Sequence, residues 1–218
     1  MKAAALALTV LTAFPAAAQI APGSVTFQPV ERDRDFRRYD TIWNFTYELG
    51  GALGSFQQYV SAVSPVGFNL EGRSKVTKRL SVGLTFGFNR YSQTQDLATL
   101  ALDNGGTASG PLYRYAHFLS PRLTAHYYFL DQSVQPYVGV GVGAVWSFAY
   151  QRVADLERSD TGFHFASHAE AGLYWSLALS DSRLALTAAV RYTFTTVSFA
   201  QVQNAMMLSG LLGVAWQI

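Results

Sequence analysis

Apolar and polar side chains alternate with a period of two along most of the chain beyond residue 40. Apolar residues occupy every second position from Trp43 to Leu49, and they do so again from Leu80 to Phe88. Successive side chains of a β-strand point to opposite sides, so this alternation is typical of strands with one apolar and one polar face. Clusters of Gly, Pro, Asp, Asn and Ser separate the alternating stretches. The pattern predicts an all-β fold.

The same rule, applied to the whole chain, predicts about eight strands. Their ranges are 40–52, 66–76, 79–90, 113–129, 136–150, 162–178, 183–196 and 204–218. Short connections near 76–78, 130–135 and 180–182 alternate with longer ones at 53–65, 91–112, 151–161 and 196–203. Short turns at one rim and long loops at the other are typical of barrels in bacterial outer membranes. An even number of strands then places both ends of the barrel on the periplasmic side.

Two closed barrels fit this alternation, and they differ in the face that points outward. A soluble, lipocalin-like barrel buries its apolar face, whereas a membrane barrel turns that face to lipid. An eight-stranded barrel is only just wide enough for side chains to fill it, so an interior of Phe, Tyr, Trp and Leu from every strand would be overfilled. The sequence therefore predicts a closed antiparallel transmembrane β-barrel over 40–218.

The polar face carries several charged residues in phase with its small residues. These are Glu48, Glu71, Arg73, Arg122, His126, Glu170 and Arg191. Charges inside a narrow barrel must pair, because an unpartnered buried charge is very costly. We expect a polar network in the interior, with Glu170 and Arg191 paired across neighbouring strands. The alternating glycines from Gly139 to Gly143 imply that this face is crowded.

The tryptophans provide an independent indication of the membrane boundaries. Trp43 begins the first predicted strand, Trp175 lies near the end of the sixth and Trp216 near the end of the eighth, so all three fall at the periplasmic rim. Trp146 falls toward the rim with the long loops. Aromatic belts mark both edges of the hydrocarbon layer in membrane barrels, and we interpret these four residues as members of such belts.

The first residues resemble an export signal. Met1-Lys2 precedes an apolar run from Ala3 to Phe14, and the small residues that follow end at Ala18. The run is shorter than the ~20 residues of a transmembrane helix, so we interpret 1–18 as a cleaved signal peptide and 19–39 as a periplasmic tail. The chain has no cysteine and a formal charge of +2, which predicts a fold without disulfides and no nucleic-acid partner.

A family resemblance supports this architecture. The stretch from Ser120 to Phe129, followed by Gln135-Pro136-Tyr137-Val138-Gly139, resembles small outer-membrane barrels of the OmpA and OmpW type, as does the stretch 77–84. The alternating residues at the end of the sequence, including Trp216, resemble the signal read by the barrel assembly machinery. The resemblance implies an outer-membrane location, and we expect a monomer in contact with outer-membrane lipids and lipopolysaccharide. For function it implies a narrow channel or small-molecule transporter, or alternatively a structural or surface-interaction barrel with a plugged lumen.

Catalytic chemistry has few candidates in this sequence. His164, His168 and Glu170 share one strand parity and could line one face, but a metal site normally needs three or four converging ligands with a second shell. Ser167 beside His168 invites comparison with outer-membrane lipid A deacylases, yet adjacent strand residues point to opposite faces. The glycine-rich segment 103–110 lacks the lysine of a phosphate-binding loop. We expect no catalytic residue and no cofactor, and a lipid-modifying enzyme is the least favoured alternative.

Overall fold

The computed structural model describes residues 41–60, 63–101, 106–177, 183–199 and 202–218. The predicted signal peptide, 1–18, and the predicted periplasmic tail, 19–39, lie outside these ranges. Both assignments stay predictions.

The described residues form eleven β-strands and one short α-helix. In chain order these are β1 Thr41–Leu53, α1 Ser55–Tyr59, β2 Val63–Ser64, β3 Val66–Lys75, β4 Leu80–Ala101, β5 Thr107–Tyr128, β6 Val134–Val153, β7 Leu156–Ser176, β8 Leu184–Thr195, β9 Ser198–Phe199, β10 Val202–Gln203 and β11 Met206–Gln217. Among the described residues, no helix is both long and apolar enough to cross a bilayer.

Eight of the strands form a closed ring. Neighbours pair antiparallel in the order β11, β8, β7, β6, β5, β4, β3, β1, and β11 pairs again with β1. The closing register runs from Ile42 opposite Gln217 to Leu53 opposite Met206. Closure leaves every long strand with a partner on both sides, which satisfies backbone hydrogen bonds without water. The predicted eight-stranded antiparallel barrel is confirmed.

The outer face of the ring is apolar and the inner face is polar. In β1, Asn44 and Thr46 are buried, whereas the alternate residues Phe45 and Tyr47 are 50% and 45% exposed. Large exposed apolar side chains occur on all eight barrel strands. Proteins surrounded by water rarely expose so much contiguous apolar surface, and this surface is typical of a wall that faces lipid. The predicted assignment of the two faces is confirmed.

The apolar outer face has the height of a hydrocarbon layer. On β6, outward side chains from Val138 to Phe148 are apolar, and these ten residue steps cover about 34 Å along the strand. At a strand tilt of about 40° the corresponding height is about 26 Å, close to the ~25 Å apolar band of outer-membrane barrels. The barrel is therefore tall enough to span the membrane.

The four tryptophans all point outward, near the two edges of this band. Trp43 lies opposite Trp216 in the register of β1 and β11. Trp175 lies opposite Leu186 near the same end of the barrel. Trp146 lies toward the other end, where its ring stacks on Phe163 with centroids 5.8 Å apart. This placement fits two aromatic belts.

Two of the predicted long loops are instead continuations of strands. The expected loop 91–112 consists largely of β4 and β5, which remain paired up to Ala101 opposite Thr107. The expected loop 151–161 belongs to β6 and β7, joined by a tight turn after Val153. These expectations were wrong because backbone pairing persists beyond the membrane, where the outward side chains are polar and apolar alternation ends.

The helix α1 lies in a segment expected to be a loop. Its five residues are too few to display a helical period in the sequence. Phe56 and Tyr59 of α1 are buried, and the hairpin of β9 and β10 holds the segment in place. The hydroxyl of Ser55 donates to the carbonyl oxygen of Gln203 at 2.9 Å and accepts from the backbone N–H of Gln203 at 3.2 Å.

Candidate functional site

All seven predicted interior residues lie inside the barrel. Each is at most 6% exposed, and their strands surround the interior: Glu48, Glu71, Arg73, Arg122, His126, Glu170 and Arg191. Strand parity places them there, because each shares its face with small or polar residues of the same strand. The interior is therefore the first place to look for a functional site.

Glu170 and Arg191 form the central ion pair of the interior. They lie directly opposite each other in the register of β7 and β8. Nε and Nη2 of Arg191 each lie 2.7 Å from Oε2 of Glu170. Nη1 of Arg191 also donates to Oδ1 of Asn69 at 2.9 Å and lies 3.7 Å from Glu48 Oε2. The guanidinium group thus joins two carboxylates from opposite sides of the barrel.

His126 connects this pair to a second carboxylate. Its Nε2 donates to Oε1 of Glu170 at 2.8 Å, and its Nδ1 lies 3.6 Å from Oε1 of Glu71. Glu71 accepts a hydrogen bond from Thr124 at 2.8 Å and another from Nη1 of Arg73 at 3.2 Å. His126 thus lies between the two carboxylates, hydrogen-bonded to Glu170 but with no hydrogen bond from its Nδ1.

Arg122 is the least well paired of the buried arginines. Its Nη2 lies 3.5 Å from Oδ1 of Asn69, and no carboxylate of the described residues lies within ion-pair distance of it. The amide of Asn69 also donates to Glu48. The charge pattern of the sequence did not single out Asn69, although this residue shares the parity of Glu71 and could have been found by that signal.

Among the buried described residues, carboxylates and guanidinium groups are equal in number. The buried carboxylates Glu48, Glu71 and Glu170 are matched by three buried guanidinium groups, those of Arg73, Arg122 and Arg191. In a medium of low dielectric constant an unbalanced set would be strongly destabilising. Balance alone does not make the interior dry, because buried donors such as Nε of Arg73 and Nε of Arg122 have no hydrogen-bond partner among the described residues.

A cage of tyrosines closes the periplasmic end of the network. Tyr128, Tyr137 and Tyr174 place their ring centroids 5.8, 5.8 and 5.9 Å from the guanidinium carbon of Arg73. Cations at this distance are attracted to aromatic faces. The hydroxyl of Tyr174 accepts a hydrogen bond from Gln217 at 2.8 Å. Reasoning from charge alone did not identify this cage, although the tyrosines lie in phase with the charged residues.

An apolar plug closes the extracellular end. Phe56 of α1 is fully buried, and its ring makes edge contacts with Tyr91 and Phe118 at centroid distances of 4.9 and 5.4 Å. Tyr59 packs against Phe199 of β9 at 5.0 Å. Burial raises the pKa of Tyr59 to about 12, although nearby Arg114 acts in the opposite direction. The plug thus joins α1 and the β9–β10 hairpin to the barrel wall.

The cavity at the centre of the charge network is small. The cavity that touches Glu71, Glu170 and Arg191 has a volume of about 10 Å³, room for about one water molecule. The expected crowding along β6 is present as well. A Cβ atom on Gly139 would lie 2.6 Å from the ring of His126, and one on Gly141 would lie 2.1 Å from the ring of His168.

The candidate catalytic residues do not assemble into a site. Nε2 of His168 lies 4.0 Å from Glu170, but His164 is partly exposed nearer the extracellular rim. In the described part of the chain no group of three acidic or histidine side chains is arranged to hold a metal ion. Ser167 and His168 point to opposite faces of β7: Ser167 pairs with outward Phe194 and His168 is buried.

The closed sheet, its lipid-facing wall and its polar interior together decide the class of protein. This chain is a transmembrane β-barrel of the outer-membrane type. Its expected resemblance to small outer-membrane barrels is confirmed at the level of architecture. The sequence matches no protein-family model, and no curated protein is significantly similar to it.

Several solved barrels resemble the chain. The outer membrane protein OprG from Pseudomonas aeruginosa is 13% identical, with 83% of this chain and 96% of that chain covered and a TM-score of 0.47. The neisserial surface protein A is 11% identical, with coverages of 83% and 97% and a TM-score of 0.47. The attachment invasion locus protein Ail of Yersinia pestis is 12% identical, with coverages of 82% and 97% and a TM-score of 0.46. The barrel fold itself rests on the chain's own closed sheet and apolar wall.

Proposed function

We propose that this protein is a surface-interaction barrel with a closed interior, and that it does not conduct solutes along its axis. The observation that carries the proposal is the cavity of about 10 Å³ at the centre of the charge network. That volume admits about one water molecule, which is too little for a hydrated ion or a small solute. Of the two leading functions expected from the sequence, the plugged-lumen alternative is therefore favoured over the channel.

Opening an axial path would require separate changes at each end. At the extracellular end, the fully buried ring of Phe56 would have to leave its contacts with Tyr91 and Phe118. At the periplasmic end, Arg73 would have to leave its tyrosine cage. Exposing one fully buried Phe side chain costs about 1.5–3 kcal/mol, and the changes at the two ends must coincide, so a spontaneously open state would be rare.

The extracellular β4–β5 hairpin is the part of the protein best suited to bind a partner. On the β3 side, the last paired residue of β4 is Arg90, opposite Val66. Beyond it, β4 continues to Ala101 with β5 as its only described partner strand. A free strand edge offers backbone N–H and C=O groups to an extended segment of another protein. We assign the interaction to this edge.

The proposed role involves no catalytic step. Support comes from β7, where Ser167 points outward and His168 is buried. A nucleophile and its base must lie within hydrogen-bond reach of each other, and opposite faces of one strand prevent this. A hydrolase of the lipid A type is therefore not proposed.

Planar-bilayer recording of the refolded full-length protein tests the closed interior. We expect no stepwise conductance from the natural chain. A Phe56→Ala/Tyr59→Ala variant removes the plug side chains and serves as the matched comparison, with a general porin as the positive control. Stepwise conductance of the natural chain that changes when Glu170 is neutralised would overturn the proposal and restore the channel.

Adhesion of whole cells tests the surface role. In the test variant, residues 96–111 are replaced by Asn-Gly, a two-residue turn that joins Gln95 to its paired residue Leu112 and suits a hairpin. Cells carrying either chain are applied to surfaces coated with collagen, laminin or fibronectin. We expect the natural chain to increase adhesion to at least one coating and the shortened chain to lose that increase. Equal adhesion on every coating would contradict the surface role.

A further inference from the structure

The outer wall changes from apolar to polar at matching register positions on three neighbouring strands. On β4, the outward residue Phe88 is followed two positions on by Arg90. The strand register places His117 of β5 opposite Arg90, and Phe148 of β6 opposite His117. Above Phe148 the next outward residue is Tyr150. This level is the upper edge of the hydrocarbon band, where lipid headgroups begin.

Arg90 lies on an aromatic surface at this level. Its guanidinium carbon lies 5.3 Å from the ring centroid of Tyr115. The ring of Tyr115 lies 6.1 Å from that of Tyr150, and the ring of His117 lies 6.1 Å from that of Phe148. We refer to these five residues, Arg90, Tyr115, His117, Phe148 and Tyr150, as the rim cluster. They form a continuous outward patch across three strands.

The protein itself provides no anion for Arg90. No carboxylate of the described residues lies within 4.0 Å of its guanidinium group. Its neighbours in the register, Val66 on β3 and His117 on β5, are not acidic, and the next outward residue of β4 is Ser92. In contrast, the interior Arg191 has two carboxylates within 4.0 Å. An anion that binds Arg90 would therefore come from the surroundings.

We propose that the rim cluster is a binding site for a phosphate group of lipopolysaccharide in the outer leaflet. Phosphate is the anion that occurs at this depth, and the planar guanidinium group can donate two parallel hydrogen bonds to it. The hydroxyl groups of Tyr115 and Tyr150 provide further donors, while the aromatic surface packs against the sugar that carries the phosphate. This inference goes beyond the proposed surface role and is independent of whether the interior conducts.

The test is a titration of the full-length protein in detergent micelles with diphosphorylated lipid A, followed by native mass spectrometry. The variants are Arg90→Gln, Arg90→Lys and, as a matched control, Arg79→Gln at the exposed turn on the opposite, periplasmic side. We expect Arg90→Gln to weaken binding about tenfold or more, since it removes a charge-assisted contact. Arg90→Lys should weaken it less, because the charge is kept but the paired donors are lost. Arg79→Gln should leave it unchanged.

Several outcomes would overturn the site. Equal affinity of the natural chain and Arg90→Gln would do so, as would equal weakening by Arg79→Gln, which would indicate unspecific attraction. Equal binding of dephosphorylated lipid A would exclude phosphate as the recognised group. Two further results would exclude lipopolysaccharide as the source of the phosphate. One is displacement of lipid A by millimolar inorganic phosphate, and the other is binding of phosphatidylglycerol that depends on Arg90 and is equally tight.

Discussion

Neutralising Glu170 is the sharpest test of the charge network. The carboxylate receives hydrogen bonds from Nε of Arg191 at 2.7 Å and from Nε2 of His126 at 2.8 Å. In a Glu170→Gln variant one oxygen remains as an acceptor for Arg191, the amide nitrogen faces Nε2 of His126, and the negative charge between the two groups is lost. The guanidinium group of Arg191 then keeps only the more distant Glu48, at 3.7 Å, as an ionic partner.

The size of the effect follows from burial. Removing one member of a buried ion pair costs about 3–5 kcal/mol, because the remaining charge is uncompensated. Glu48 compensates part of the charge of Arg191, so we expect a loss near the lower end, about 3 kcal/mol. Total unfolding free energies are typically about 5–15 kcal/mol, so the loss is readily measured.

The assay is a double-mutant cycle on barrels refolded into phospholipid vesicles. Unfolding by guanidinium chloride is followed by tryptophan fluorescence for the natural chain, Glu170→Gln, Arg191→Gln and the double variant. We expect the double variant to lose at least about 1 kcal/mol less than the sum of the single losses, since paired residues are coupled. The exposed Glu157→Gln should stay within about 0.5 kcal/mol of the natural chain. A loss below about 1 kcal/mol for Glu170→Gln, or additive single losses, would refute the network.

Two further substitutions test the packing of the wall and the direction of its faces. Gly143→Ala would place a Cβ atom 2.3 Å from the carbonyl oxygen of Pro121, so it should lower the free energy of unfolding by about 1–3 kcal/mol. Gly210→Ala, which has open space around it, should leave the free energy of unfolding nearly unchanged in the same assay. Equal effects of the two substitutions would contradict the crowded inner face. Val140→Arg places a charge at mid-height of the lipid-facing wall and should cost about 2–4 kcal/mol. Ser159→Arg, above the hydrocarbon band, should cost almost nothing, and equal costs would show that the wall does not face lipid.

Strand parity could be read from the sequence because side-chain direction is a local property. A residue two positions from a known interior residue also points inward, so Glu48, Glu71 and Arg191 could be placed from the alternation alone. Contacts across the barrel are not local. Arg191 meets Asn69, which is 122 residues away in sequence, and alternation contains no information on such pairs. From the sequence, only Glu170 and Arg191 could be predicted to form a pair, because they lie on consecutive long strands.

The ends of the strands and the plug could not be predicted for a different reason. The prediction of strand ends relied on apolar side chains, and outside the membrane the outward residues of β4 become polar while pairing continues to Ala101. In α1, two apolar residues, Phe56 and Tyr59, turn inward and close the barrel. Their burial depends on the fold of the whole segment over the barrel opening, which neither helix propensity nor alternation encodes.

The buried charges bear on whether the interior is closed. A water-filled pore tolerates an excess of one sign, because water and counterions solvate the surplus charge. A dry interior does not, since each unmatched ion carries a desolvation cost of several kcal/mol. Strand parity places Glu48, Glu71 and Glu170 on the same face as Arg73, Arg122 and Arg191, but Lys75 and Arg114 share that parity too, so the sequence alone does not give a neutral interior. The plug, the tyrosine cage and the small central cavity are what favour a closed barrel, and the loss expected for Glu170→Gln measures how strongly the interior depends on the Glu170–Arg191 pair.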